Sequence, residues 1–179
     1  TAWDSIDIHI VNPPAPVAVS CAIKSACTGL EVPVLALSAE ENAHAELETE
    51  GNYNQFLCCA NVSDVDYTTG IGDCDTLGAG FTGLITLATN STFDKNTNAA
   101  VEKYNYTKIL PTDPDGFPYK KNVCVELVGG ESFTCWNDTL SGCKSIPKAE
   151  AIISISSKTN AHIGNETAYE DSVLCCKTE

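Results

Sequence analysis

Ten cysteines constrain the fold of this chain more than any other feature of its sequence. They are Cys21, Cys27, Cys58, Cys59, Cys74, Cys124, Cys135, Cys143, Cys175 and Cys176. An even number of cysteines, without the paired CxxC spacing of zinc sites, predicts disulfides formed in an oxidising compartment. Each disulfide contributes about 2–4 kcal/mol, mainly because it restricts the unfolded chain. We therefore expect a disulfide-rich extracellular domain.

The two Cys-Cys pairs close two similar segments of the chain. The first copy is VLALSAEENAHAELETEGNYNQFLCC, and the second is IISISSKTNAHIGNETAYEDSVLCC. Each contains an alternating strand, then Asn-Ala-His, then a second strand that ends in Leu-Cys-Cys. The repeat spans about residues 34–59 and 152–176. It predicts two related strand pairs, either in one composite domain or in two sandwiches packed tightly together.

The Cys-Cys pairs also suggest how the disulfides are arranged. Successive side chains of a strand point to opposite faces, so each pair can join two separate elements. We predict local bridges Cys21–Cys27 and Cys135–Cys143, a long-range bridge Cys74–Cys124, and pairing of 58/59 with 175/176. The other pairings stay open, since ten cysteines allow on the order of nine hundred combinations.

Most of the chain has the period of two that is typical of β-strands. Strands are predicted at 32–38, 84–89, 122–128, 151–157 and 169–176. Turn sequences rich in Gly, Asp and Ser separate these segments, namely TTGIGD, TDPDG, VGGES and TLSG. Residues 38–51 lack an apolar face and are predicted as a loop with at most one helical turn. The pattern predicts an all-β sandwich.

Charge and motifs argue against several functions. The net charge is −14, from 24 acidic and 10 basic residues, which disfavours a nucleic-acid partner. No run of eighteen apolar residues is present, so we expect no transmembrane helix. Neither GxSxG nor HExxH occurs, and we predict that the chain is not an enzyme. The string GAGFTG precedes a predicted strand instead of a helix, which favours a glycine-rich turn over a dinucleotide site.

Two groups of residues are weak candidates for metal binding. Asp64, Asp66, Asp73 and Asp75 crowd one acidic segment, and such oxygen ligands suit Ca²⁺, but their spacing does not fit an EF-hand. The alternative is a plain acidic loop. His44 and His162 recur at the same place in the repeat, near thiols. This favours either a copper or zinc site or a loop histidine inherited twice by duplication. No other cofactor is expected.

Five Asn-x-Ser/Thr sequons are candidate sites of N-linked glycans. They are Asn61, Asn90, Asn105, Asn137 and Asn165. About two are expected by chance in a chain so rich in Ser and Thr. The excess indicates either a glycosylated exterior or simply a Thr-rich β surface.

The N-terminal segment is predicted to form a strand that a Pro-rich spacer separates from the rest of the chain. Within residues 5–11, Ile6, Ile8 and Ile10 lie on one face, while Asp7 and His9 lie on the other. The Pro-rich spacer VNPPAPVAV follows and should extend about 28 Å, whereas a hairpin needs only two to five residues. We therefore divide the chain into an arm and linker (1–20) and a β-sandwich body (21–179). The strand either completes its own sandwich or enters another copy, which would build a filament.

The donor-like arm and the disulfide-bearing β body resemble pilins that assemble by donor-strand exchange. The NAH…LCC hairpins together with SIDIHIVNPPAP resemble, more closely, protomers of pilus-like helical fibrils recovered from environmental water. This resemblance implies an immunoglobulin-like sandwich completed by another protomer's strand, with Ile6, Ile8 and Ile10 as donor residues. It also implies a homopolymer located in an extracellular, cell-surface filament. The alternative from the residues is a secreted adhesin or lectin-like binding module, monomeric, with its strand in cis.

Overall fold

The computed structural model describes residues 18–69, 74–78, 80–88, 99–100, 119–131, 133–156 and 162–178. These residues form three four-stranded sheets in which every strand pair is antiparallel. We call them the first, middle and last sheets, in chain order. The described part is therefore a mainly β protein, as the period-two pattern predicts.

The first sheet has the strand order β1-β4-β2-β3. Its strands are β1 (Ser20–Lys24), β2 (Val32–Leu37), β3 (Ala45–Glu46) and β4 (Gln55–Ala60). The four residues 34–37 of β2 are all buried, in agreement with their apolar composition. A 3₁₀ helix, Glu48–Glu50, separates β3 from β4 and ends at Gly51, whose φ of 73° suits glycine.

The last sheet has the order β11-β10-β12-β9. Its strands are β9 (Phe133–Asp138), β10 (Ala149–Ile155), β11 (Ile163–Gly164) and β12 (Val173–Thr178). Helix α1 (Leu140–Ser145) joins β9 to β10. Its N-cap is Thr139, whose hydroxyl accepts a hydrogen bond from the Gly142 backbone N–H.

The middle sheet lies between the other two in the chain and has the order β5-β8-β6-β7. Its strands are β5 (Val62–Thr69), β6 (Phe81–Ala88), β7 (Ala99–Ala100) and β8 (Tyr119–Leu127). A short 3₁₀ helix, Cys74–Thr76, precedes β6. Gly78 and Gly80, both with positive φ, lead directly into β6, so the glycine-rich string is a turn before a strand, as predicted.

The two copies of the repeat form equivalent strands. β2, β3 and β4 correspond to β10, β11 and β12, and β1 corresponds to β9. Even the irregularities match, because the β2–β4 register shifts between Pro33 and Leu35, and the β10–β12 register shifts between Ala151 and Ile153. The bulge also explains how Pro33, which has no N–H, fits within a paired strand.

A single buried cluster draws on all three sheets. Its members include Leu35, Leu57, Leu87, Val125, Ile153 and Leu174. The sheets therefore share one apolar core in a sandwich-like arrangement. A smaller cluster of Leu140, Cys143, Val173 and Cys175 fixes helix α1 against the last sheet.

Four of the five predicted strands are confirmed as β2, β6, β8 and β10, and their predicted ends differ from the observed ends by at most three residues. The fifth prediction, 169–176, is wrong at its start, since β12 begins at Val173. Residues 166–171 form turns, closed by hydrogen bonds from Ala168 N to Asn165 O and from Ser172 N to Tyr169 O. The TLSG segment, predicted as a turn, contains the start of α1. The 38–51 loop does contain one helical turn, but also the short strand β3.

Candidate functional site

Two disulfides bind the strands of the first sheet. Cys59 of β4 is bonded to Cys21, which stands directly opposite it in β1, with a Cα–Cα distance of 4.1 Å. The neighbouring Cys58 points the other way and bonds to Cys27 in the connection after β1, with a Cα–Cα distance of 5.3 Å. The vicinal pair therefore attaches β4 to two separate elements.

The last sheet repeats this arrangement. Cys176 of β12 is bonded to the opposed Cys135 of β9, again with a Cα–Cα distance of 4.1 Å. Cys175 bonds to Cys143 of helix α1 at 5.6 Å. The two copies of the repeat thus carry the same pair of cross-links.

The fifth disulfide, Cys74–Cys124, joins the 3₁₀ helix before β6 to β8 and confirms the long-range prediction. The predicted local bridges Cys21–Cys27 and Cys135–Cys143 are wrong, as is the predicted pairing of 58/59 with 175/176. The reason is topological: β4 and β12 lie in different sheets, and each takes one partner from the strand beside it and one from the connection that follows that strand. All ten cysteines are bonded, so the prediction of five disulfides is confirmed.

The two copies meet at a seam formed by residues 43–44 and 162–163, which include the histidine of each repeated Asn-Ala-His. The backbones of Ala43 and Ile163 exchange two hydrogen bonds, of 2.8 and 2.9 Å. His44, which follows Ala43, and His162, which precedes Ile163, face each other, with 4.8 Å between ring centroids and 54° between ring planes. We call this pair the histidine seam.

Equivalent serines hold both histidines. The backbone N–H of His44 donates to Ser38 Oγ, and that of His162 donates to Ser156 Oγ, both at 2.9 Å. The carbonyl oxygens of the same histidines accept from the serine N–H groups, at 3.0 and 2.9 Å. The backbones of the two histidines are therefore held in equivalent ways, independently of the contact between their rings.

The side chains of the seam differ in their partners. His162 Nδ1 lies 2.6 Å from Asn42 Oδ1, which also accepts from the Tyr169 hydroxyl at 3.1 Å. Among the described residues, no group hydrogen-bonds the buried Nδ1 of His44. Burial, followed by the nearby His162, lowers the pKa of His44 below its usual value, because both disfavour the charged ring. Sequence reasoning singled out the histidines but missed Asn42, although it precedes His44 in the repeated Asn-Ala-His.

The structure gives no support to the calcium candidates. Asp64 and Asp66 are exposed on β5, and each carboxylate accepts the N–H of the next residue, at 2.9 and 2.7 Å. Asp73 lies outside the described residues, and the side chain of Asp75 is likewise not described. Within the described ranges, no group of three or more His, Cys, Asp or Glu side chains stands together as a metal site would require.

Three sequons are described, and all three are half-buried. Asn61 Nδ2 donates to the Ala18 carbonyl at 2.7 Å, and Asn165 Nδ2 donates to Glu41 Oε1 at 3.1 Å. Asn137 Oδ1 accepts from the Ser172 hydroxyl at 2.8 Å. These amides therefore already take part in the fold, while Asn90 and Asn105 lie outside the described residues.

The predicted donor residues Ile6, Ile8 and Ile10 also lie outside the described residues. The described chain begins at Ala18, which Asn61 holds, and continues with the buried Val19. The linker therefore joins the body at a fixed point beside β1 and the β4–β5 turn.

Six strands lie at the edges of their sheets and pair with only one described strand each. They are β1, β5 and β9, together with the two-residue strands β3, β7 and β11. The longest is β5, in which Val65 and Tyr67 pack on the core while Asp64 and Asp66 are exposed. Burial, with a smaller effect of the Glu48 charge, raises the pKa of Tyr67 to about 12.

Comparison of the chain with protein-family models, with curated proteins and with solved structures finds no match. No helix among the described residues is long and apolar enough to cross a membrane. Five disulfides are typical of proteins exposed to an oxidising, extracellular environment.

Proposed function

We propose that this chain is the structural subunit of an extracellular, pilus-like helical filament. In this proposal the N-terminal strand of each copy completes the immunoglobulin-like sandwich of another copy by donor-strand exchange. The observation that carries it is the alternating sequence of residues 5–11, which predicts a strand with Ile6, Ile8 and Ile10 on one face, ahead of a Pro-rich spacer. An apolar strand of this kind is an aggregation hazard unless a groove receives it.

The spacer favours insertion into another copy over a return to the same sheet. Residues 11–17, which precede the Ala18 that Asn61 holds, can extend about 22 Å, far more than a hairpin connection uses. Burying each isoleucine would contribute about 1.5–3 kcal/mol, and the new main-chain hydrogen bonds would fix the register. Because such a contact is head-to-tail, it leads to an open filament of identical chains.

The body of the protein offers a suitable edge in β5. Its eight residues match the seven of the donor segment in length, and one of its sides has no described strand. Val65 and Tyr67 already face the core, so a donor strand beside β5 would place its isoleucines in line with them. The five disulfides fit a subunit that must endure harsh conditions outside the cell.

The proposal is tested by removing the arm. Deletion of residues 1–12 should abolish filaments in electron micrographs of the purified chain and leave a monomer in sedimentation. Ile8→Asp should have nearly the same effect, because it places a charge in an apolar groove. His9→Asp is the matched control: it puts the same charge on the opposite face of the same strand, and filaments should persist.

Filaments formed by the deleted chain would refute the mechanism. A full-length chain that sediments as a monomer, with residues 1–12 protected from proteolysis, would instead support the monomeric binding module with its strand in cis. Addition of a peptide of residues 1–17 to the deleted chain should give a stable one-to-one complex if a groove is vacant.

A further inference from the structure

The histidine seam has the geometry of a two-imidazole metal site. Because Ala43 and Ile163 exchange both backbone hydrogen bonds, the next residues along, His44 and His162, form the closely spaced type of antiparallel pair. The backbone therefore places these two residues opposite each other, within reach of ring contact. The two chain segments that supply them are the same position of a duplicated unit.

The distance between the rings fits a shared ion. A zinc–imidazole bond of about 2.0–2.1 Å places the ion roughly 3.2 Å from each ring centre, so two rings on one ion have centres about 4.5–5.2 Å apart. The observed distance between the centroids is 4.8 Å. Tilted ring planes, here at 54°, are compatible with two ligands of one ion.

The hydrogen bonds of His162 prepare it as a ligand. Metal-binding histidines usually donate their second ring N–H to an oxygen, which fixes the tautomer and the ring orientation. Asn42 Oδ1 accepts from His162 Nδ1 in this way, and Tyr169 in turn orients Asn42 by donating to the same oxygen. Nε2 of His162 is then the nitrogen left with a free electron pair.

His44 also has the properties of a ligand. Its buried Nδ1 has no hydrogen-bond partner among the described residues, which is unusual for a buried polar atom.

We propose that His44 and His162 bind one divalent transition-metal ion, Zn²⁺ or Cu²⁺, across the seam between the first and last sheets. Water would complete the coordination, as is usual at sites with few protein ligands. The ion would link the two copies of the repeat at a point where they are joined by two backbone hydrogen bonds and ring contact. This proposal is independent of filament formation.

The chain supplies its own matched control, since it contains three histidines and only two belong to the seam. Titration of the full chain with Cu²⁺ and Zn²⁺, in 150 mM salt with excess Mg²⁺ to occupy the acidic surface, should reveal one site per chain of about micromolar affinity. His44→Gln and His162→Gln should each weaken binding at least tenfold. His9→Gln should leave it unchanged.

A second measurement on the unaltered chain guards against misfolding of the variants. The electron paramagnetic resonance spectrum of the Cu²⁺ complex should show two equivalent nitrogen ligands, and binding should weaken as the pH falls from 7.5 to 5.5 because protons compete for the rings. One nitrogen or none in that spectrum, or full affinity in both glutamine variants, would overturn the proposal. Loss of binding in His9→Gln would place the site elsewhere and would also overturn it.

Discussion

The first and last sheets of this protein are two versions of one unit, and their differences show which features of the unit are exchangeable. They share strand order, the position of the bulge, the paired cross-links of the Cys-Cys strand, and the serine that holds each seam histidine. Backbone pairing and disulfides are thus common to both copies. The side chains that secure the connecting loops are not.

The first difference concerns the connection that carries the outer cysteine. After β1 it is a loop, closed by an ion pair between Lys24 and Glu31 and turned at Gly29, which has a φ of 65°. After β9 it is helix α1, whose Leu140 and Cys143 are buried in a cluster of their own. The same disulfide therefore holds an exposed loop in one copy and a packed helix in the other.

The second difference concerns one cross-strand pair. Ala36 stands opposite Glu46 in the first sheet, and Ser154 stands opposite Gly164 in the last. The buried Glu46 carboxylate accepts from Asn52 N, Asn52 Nδ2 and Tyr53 N, at 2.7–2.9 Å. In the last sheet the polar side chain is that of Ser154 in β10, the strand equivalent to β2, instead of one in β11, the strand equivalent to β3. Ser154 Oγ donates to Asn165 O and accepts from Tyr169 N. Either strand can supply the group that fixes the returning loop.

The largest expected effect is the loss of stability when either of the two equivalent disulfides, Cys27–Cys58 or Cys143–Cys175, is removed. They span 31 and 32 residues, so the restriction of the unfolded chain should contribute about 3.7 kcal/mol in both cases. Replacing Cys143 and Cys175 by Ala should cost about 1–2 kcal/mol more than replacing Cys27 and Cys58, because α1 also loses its buried packing. Free energies of unfolding from urea titration measure the difference. Equal losses would mean that the helix adds nothing beyond the loop.

The next effect distinguishes the two ways of holding the returning loop. Glu46→Ala should lower the free energy of unfolding by about 3 kcal/mol, because it leaves three donors without their charged acceptor. Ser154→Ala, the matched change in the last sheet, should cost about 1–2 kcal/mol for two neutral hydrogen bonds. Urea unfolding of both variants checks this order. A larger loss of stability for Ser154→Ala than for Glu46→Ala would contradict this order and show that the charged acceptor is not the stronger of the two.

The smallest effect concerns the pH dependence of the seam. The pKa of His44 is lowered in the folded protein, so below about pH 6.5 the unfolded chain binds more protons and the fold loses stability as the pH falls. Above that pH the His44 ring is neutral in both states and does not reduce the stability of the fold. His44→Gln should therefore reduce the loss of stability between pH 7.5 and 5.5, whereas His9→Gln should not. An unchanged pH profile in His44→Gln would show that its ring does not titrate against folding.

The sequence predicted local structure better than long-range pairing. The alternation in 32–38 and 151–157 identified β2 and β10, because period two depends only on which face is buried. The acidic segment of residues 64–75 is predicted as a calcium site or a plain acidic loop, although Val65 and Tyr67, which alternate with Asp64 and Asp66, belong to the edge strand β5. Its short apolar face gave too weak a signal.

The candidate site was predicted only in part. The repeat singled out His44 and His162 as a pair, yet nothing in their sequence positions, 118 residues apart by number, shows that they touch. Their contact depends on the bridge between Ala43 and Ile163, which is a tertiary pairing. For the same reason, nothing in the sequence marks Glu46, an acid in a charged segment, as buried.

By itself the sequence determined that this chain forms strands, that they occur in two related sets, and that every cysteine has a partner to find. These properties follow from side-chain periodicity, similarity of segments and an even count, all of which are local or additive. Only the tertiary structure decided which strand lies beside which, and hence the partners of Cys58 and Cys175 and the meeting of the two histidines. Such choices depend on contacts between distant residues, whose free energies emerge only when the sheets pack around a common core.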